Sequence, residues 1–224
     1  MKRPKKALGL LAVIGIAIAT ALLATWLSAI MEEEPDIFGL SEAETGQGRP
    51  ERQIDWDSLP ESVIAWVEVP GTSIDEPVVQ ASKDAPNDYL YVDALGQGAY
   101  GTPYIDCDCT LDSRFVMIYG HHMSDGSVFA NFASFIDEAY AREHAEIILY
   151  QREGPTFHLT PIAVDVVNAS REILVINQEA DFKERLSSCD LVLSDASEDN
   201  QLFAFVTCSY QTKNSRTILY AGAR

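Results

Sequence analysis

Positive charge is scarce in this chain: 16 Lys and Arg stand against 34 Asp and Glu over 224 residues. Four of those 16 lie in the first six positions (Lys2, Arg3, Lys5, Lys6) and no acidic residue precedes Glu32, so everything after Met31 is more acidic than the whole. That balance repels a polyanion, and no nucleic acid is expected as a partner. Cysteine is also sparse, and four thiols (Cys107, Cys109, Cys189, Cys208) exclude a disulfide-dense scaffold. Cys107 and Cys109 would share one face of an extended strand about 7 Å apart, poorly placed to bridge each other. No internal repeat is present, so a repeat architecture is not expected.

Charge is missing altogether from Ala7 to Met31, a run of 25 positions. As a helix rising about 1.5 Å per residue, such a run spans a bilayer core of roughly 30 Å. Basic residues precede it and Glu32, Glu33 and Glu34 follow it, which leaves the N-terminus in the cytoplasm. Residues 1–6 therefore read as a basic cytoplasmic N-terminus and 7–31 as a transmembrane signal anchor. The expected location is the cell membrane, crossed once, with the rest of the chain extracellular. A cleaved signal peptide is the competing reading, although "LSAIMEEE" offers no clear A-x-A site. Residues 32–54, acidic and without sustained period, read as an extracellular stalk, and 55–224 as one folded domain.

From about Asp55 the texture changes to short apolar runs bounded by turns: "VIAWVEV", "PVVQ", "FVMIYG", "EIILYQ", "TFHLTPIAVDVV", "LVLS", "LFAFVT" and "RTILYAG". This predicts a mainly β fold, and the economical architecture is a closed eight-stranded barrel. Two stretches read as peripheral helices: "SVFANFASFID" (127–137) and "NQEADFKERLSS" (177–188), the latter with Phe182 and Leu186 four apart on one face.

Three side chains carry candidate chemistry. Cys208 ends the run "FAFVTC", and a thiol attacks a carbonyl only when a neighbouring base or cation generates its thiolate. His121, in "YGHHM", follows a strand and a glycine, where rigid backbone can hold an imidazole at the surface. Arg216 opens the run after the polar turn "SYQTKNS", so a hairpin would bring its guanidinium back to Cys208, where its planar fork suits an oxyanion. A rival reading takes Cys107, Cys109, His121 and His122 as zinc ligands of an exported hydrolase. C-x-C with adjacent histidines fits none of the usual ligand spacings, and adjacent strand residues point to opposite faces. A papain-like peptidase places its cysteine before its histidine, the reverse of the order here. A third alternative is a non-catalytic wall-associated barrel.

His, then Cys, then Arg on successive β elements of an exported barrel resembles the sortases, membrane-anchored cysteine transpeptidases of Gram-positive bacteria. The likeness runs from about Asp55 to the C-terminus and rests on Tyr119, Gly120 and His121 at a strand end and on Thr207, Cys208 and the following Arg216. "WVEVPGTSIDEPVVQ" (66–80), "ND" leading into an aromatic stretch (87–91) and "GHHMSDGSVF" (120–129) are similar to class B sortases. A helix before the cysteine-bearing strand is a feature of that class too. The resemblance implies a sortase-type barrel over 55–224 as the catalytic domain. Cys208 would be the nucleophile on an LPXTG-like sorting signal, His121 the acid and base, and Arg216 the oxyanion or backbone holder. Asn87, Tyr119 and Thr207 are the implied substrate-binding candidates, and no cofactor or metal is implied. Implied partners are surface proteins or pilins bearing a sorting signal, and as acceptor an amine of a peptidoglycan precursor or a pilin. A thiolate with an imidazolium exists only over a limited pH window, which gives a bell-shaped rate profile. The chain departs from many sortases in having "FVTC" for "LSTC", Ser209 for an acidic residue and His122 for an asparagine. The first two departures sit where the sorting peptide would lie, and His122 is expected to be a solvent-facing or supporting polar group.

Overall fold

The eight apolar runs all form strands: β1 (Val63–Glu68), β2 (Asp75–Gln80), β4 (Phe115–Tyr119), β5 (Ile147–Gln151), β6 (Phe157–Asn168), β7 (Leu191–Val192), β8 (Leu202–Ser209) and β9 (Ser215–Ala223). A ninth, β3 (Tyr104–Ile105), has two residues and is too short to show a period in sequence. These elements come from a computed structural model, which describes residues 52–98, 100–170, 182–194 and 201–223. The basic N-terminus (1–6), the transmembrane segment (7–31) and nearly all of the stalk (32–54) lie outside the described residues. Among the described residues no helix is long and apolar enough to cross a membrane. Ile54–Arg224 forms one compact unit.

Hydrogen bonding runs in the order β5-β1-β2-β3-β4-β8-β9-β6 and returns from β6 to β5 through Ile147↔Leu159 and Leu149↔Phe157, closing a barrel of eight strands. The count matches the expectation, but the membership differs. β3 completes the ring, whereas the "LVLS" run gives only the short β7, paired outside it on Ala163 and Val164 of β6. Twelve-residue β6 passes from β5 to β7 at a register shift between Pro161 and Ala163, where the proline cannot donate to a ladder.

Two pairings are parallel, β2 with β3 and β4 with β8. The second matters most for function. Parallel register from Phe115↔Leu202 to Tyr119↔Val206 brings the C-terminal ends of β4 and β8 to one place. His121 lies just beyond the end of β4, and Cys208 lies in β8 next to its last residue, Ser209.

The predicted helix at 127–137 forms instead as a 3₁₀ helix (Ala130–Ile136). Phe129, Phe132 and Phe135 recur every third residue, the 3₁₀ period, and all three are fully buried. Phe132 stacks on Phe205 of β8 at 4.8 Å between ring centroids. Asp137 ends this segment and caps α1 (Glu138–Glu143), accepting from the N–H groups of Ala139 and Tyr140 at 2.9 and 3.1 Å. α2 (Phe182–Ser187) falls inside the second predicted helix and is fixed to the barrel by Arg185, which donates to Asp165 and the Tyr220 hydroxyl at 3.0 and 3.1 Å.

Gly120 is where the aromatic packing meets the end of β4. A Cβ there would lie 2.3 Å from Cδ2 of Phe129. Gly120→Ala is therefore expected to cost about 1–3 kcal/mol through a displaced Phe129, read as a lower urea midpoint at unchanged m-value.

Candidate active site

Six residues of β8, Leu202 to Thr207, are buried, Cys208 is exposed, and Ser209 is buried again. The only exposed position in an otherwise packed strand is thus the thiol. Carbonyls on β8 show which way residue 208 faces its hairpin partner. Val206 O accepts from Gly120 N–H at 3.0 Å and Cys208 O from Nδ1 of His122 at 2.8 Å, so both carbonyls point toward β4 and away from β9. In register Cys208 lies opposite Arg216, and the pair must be of the non-hydrogen-bonded type, with Cα atoms about 4.5 Å apart and side chains at their closest. Among the described residues no hydrogen bond or ion pair engages the Arg216 guanidinium.

The turn between them is held by buried serines. Ser215 Oγ donates to Ser209 O at 3.0 Å, and Ser209 Oγ and Ser215 Oγ lie 2.9 Å apart. Ser209 therefore points away from the thiol into this network, which corrects its expected place along the peptide surface.

His121 is oriented by the segment before β3. A carbonyl only accepts, so the 2.7 Å contact between Nε2 and Leu90 O puts the proton on Nε2 and leaves Nδ1 for exchange. Leu90 ends a short 3₁₀ turn (Asp88–Leu90), before which Asn87 makes no side-chain capping bond. Gly101, at φ +68°, packs beneath: a Cβ there would be 2.9 Å from Cδ2 of His121 and 2.7 Å from Tyr89 O. Gly101→Ala is expected to tilt the imidazole and lower kcat/KM by about 10–100-fold in a peptide-cleavage assay.

A cleft of about 510 Å³ gathers the six residues singled out in the sequence: Asn87, Tyr119, His121, Thr207, Cys208 and Arg216. Thr207 borders it, but its hydroxyl is buried beside that of Thr217, and neither oxygen has a partner among the described residues. Sequence reasoning missed Tyr104, Asp106 and Leu90, which line the same cleft. Burial first, then the Asp106 carboxylate, pushes the Tyr104 hydroxyl up to about 12, against the opposing pull of Arg216. Burial, then the charge of Asp106 and a hydrogen bond to it, raises the Tyr119 hydroxyl as well. Asp106 follows β3 directly, and only the pairing of that two-residue strand brings it to the cleft.

All four cysteines are free. Burial pushes Cys109 up to about 11 and Cys189 up to about 12, and Cys107 is raised by desolvation and by Asp106 and Asp108. A limiting amount of a methanethiosulfonate reagent at neutral pH is expected to label Cys208 first, read by peptide mapping. The zinc reading fails on geometry. Cys109 is buried with its sulfur accepting from Met117 N–H, while His121 and His122 are bonded to the carbonyls of Leu90 and Cys208. Among the described residues the one cluster of potential ligands is Asp106, Cys107 and Asp108, a different set.

No family model matches the chain. Sortase B of Listeria monocytogenes is 33% identical over 95 residues, which span 40% of this chain but 37% of that protein's length. The structure of Clostridium perfringens sortase B covers 73% of this chain and 94% of its own, at 25% identity and a TM-score of 0.60. A Staphylococcus aureus sortase B–substrate complex superposes at a TM-score of 0.64 with 19% identity, over 75% of this chain and 82% of that one. The chain thus has the fold of the class B sortases and is similar to one of them in sequence over part of its length.

Proposed function

We propose that this chain is a membrane-anchored cysteine transpeptidase that cleaves an LPXTG-like sorting signal and transfers the released acyl group to an amine. The observation that carries this reading is the exposed thiol of Cys208 standing opposite Arg216 in β-register, with His121 in the same cleft. The Cys208 thiolate attacks the scissile carbonyl carbon, a C–S bond forms, and the negative charge on the oxygen meets Arg216. Collapse breaks the C–N bond as His121 gives a proton to the departing amine, leaving a thioacyl enzyme. Neutral His121 then takes a proton from the incoming amine, which displaces the thiol and restores Cys208. Asn87 offers its amide to the peptide backbone, and Tyr119, hydrogen-bonded to Asp106, lines the same wall of the cleft. Tyr104 and Asp106 line the same cleft.

The uncharged run 7–31 supports a single-pass anchor with the catalytic domain outside the cell, and the substrates would then be surface proteins or pilins. The acceptor would be an amine of a peptidoglycan precursor or a pilin. The test is a peptide-library cleavage assay with the full chain in detergent micelles, products read by mass. Cleavage after one residue of a short motif, with amine-dependent transfer and no effect of chelator, is the expected result. Loss of cleavage on adding chelator, or no cleavage of any peptide, would overturn it.

A further inference from the structure

One contact in the cleft wall joins the two halves of the site by a side chain where a backbone bond belongs. In the parallel β4–β8 ladder, acceptors on β8 recur every second residue: Val206 O takes the Gly120 N–H, and the next acceptor facing the same way is Cys208 O. A continuing strand would offer it the N–H of residue 122. Instead the chain turns after Gly120, and residue 122 pairs with Val128, which sits at φ +58°. That turn seats Phe129 against Gly120 and carries His121 to Leu90. The vacated place on Cys208 O is taken by Nδ1 of His122 at 2.8 Å, across 86 positions of sequence. A carbonyl can only accept, so Nδ1 carries the proton. The ring is also set by Tyr210, edge-on at 4.8 Å between centroids.

The hairpin partner does not do this work. Because Cys208 and Arg216 form the non-hydrogen-bonded kind of pair, β9 holds none of the backbone groups of residue 208. We propose that His122 is a positioning residue for the nucleophile: its Nδ1–H substitutes for the missing ladder donor and fixes the backbone of Cys208 beside Arg216 while the chain turns away. The catalytic consequence rests on the thiol-transfer reading; the hydrogen bond itself does not. A group that holds the nucleophile in its attacking geometry acts on kcat, because peptide affinity comes from other parts of the cleft.

Two substitutions separate donor from ring. His122→Phe keeps the aromatic contact with Tyr210 and deletes the donor; His122→Asn places an amide N–H where Nδ1–H stands. In the full chain in micelles, His122→Phe is expected to lower kcat about tenfold with KM within about twofold, the scale of one hydrogen bond, and His122→Asn to recover most of the loss. A His122→Phe enzyme within about twofold of the wild-type kcat, or a His122→Asn enzyme no better than His122→Phe, would overturn the proposal. Nitrogen-15 NMR of the unmutated chain supplies a readout independent of turnover and of any folding defect in the variants. Neutral His122 is expected as the Nδ1–H tautomer, and the Nε2–H tautomer would overturn the proposal. If the wild-type chain cleaves no peptide, the thiol-transfer reading fails, while the tautomer still decides whether the bond exists.

Discussion

Cys208→Ala is expected to lower peptide cleavage by at least about 10⁴-fold, to the background of the assay, because the proposed acyl bond forms on this sulfur. The remaining cysteines cannot stand in. Cys109 is buried with its thiol pushed up to about 11, Cys189 is packed against the core with its thiol pushed up to about 12, and Cys107 is raised by desolvation and then by the carboxylates of Asp106 and Asp108. Folding should be untouched, since the substitution removes one exposed sulfur from a strand whose buried face carries the packing, and surface changes of this kind stay within about 0.5 kcal/mol. The combination of abolished turnover and an unchanged thermal melt separates a lost nucleophile from a lost fold. Cys208→Ser is expected to be nearly as inactive, because the imidazole that suffices beside a thiol must deprotonate a much weaker acid.

Arg216 gives the second large effect. Its strand register sets it against Cys208, and among the described residues its guanidinium has no hydrogen-bond partner, so its donors are available to the oxyanion proposed to form beside the sulfur. Arg216→Ala is expected to cost about 10²–10³-fold in kcat, the magnitude of losing an oxyanion donor. Arg216→Lys should recover little of it, because one ammonium cannot present two parallel N–H groups to a carbonyl oxygen and the adjoining backbone. A lysine variant as active as wild type would mean that only positive charge is needed there. The charge has a second effect inside the cleft: it opposes the rise of the Tyr104 hydroxyl, so its removal should leave that phenol still harder to ionise.

How much of this was legible before the fold was seen depends on how local each signal is. The β8–β9 hairpin was readable because two apolar runs flank a polar turn, and that alone predicts Arg216 returning to Cys208. β3 was not readable. Two residues carry no period, and their place is fixed by partners on β2 and β4, yet they bring Tyr104 and Asp106 to the cleft. The aromatic helix after the histidines was seen as helical, while its threefold spacing of Phe129, Phe132 and Phe135, the mark of 3₁₀ geometry, passed unused. Thr207 was placed by resemblance at the groove, but strand alternation puts its hydroxyl on the face opposite the thiol. His122 was left between a solvent-facing and a supporting role because its partner is a backbone carbonyl on a strand far along the chain, a relation that only the parallel β4–β8 pairing creates. The orientation of His121 depends likewise on Leu90 and Gly101, neither of which carries a chemical signature in sequence.

The sulfur at position 208 is the element on which the rest depends. The most direct measurement is intact-protein and peptide mass spectrometry of the full chain quenched during turnover of a cleavable peptide without added amine. An acyl adduct confined to Cys208 and discharged by hydroxylamine or an amine acceptor is expected. Cleavage that proceeds with no adduct on that sulfur, or that survives Cys208→Ala, would contradict a thiol-borne transfer.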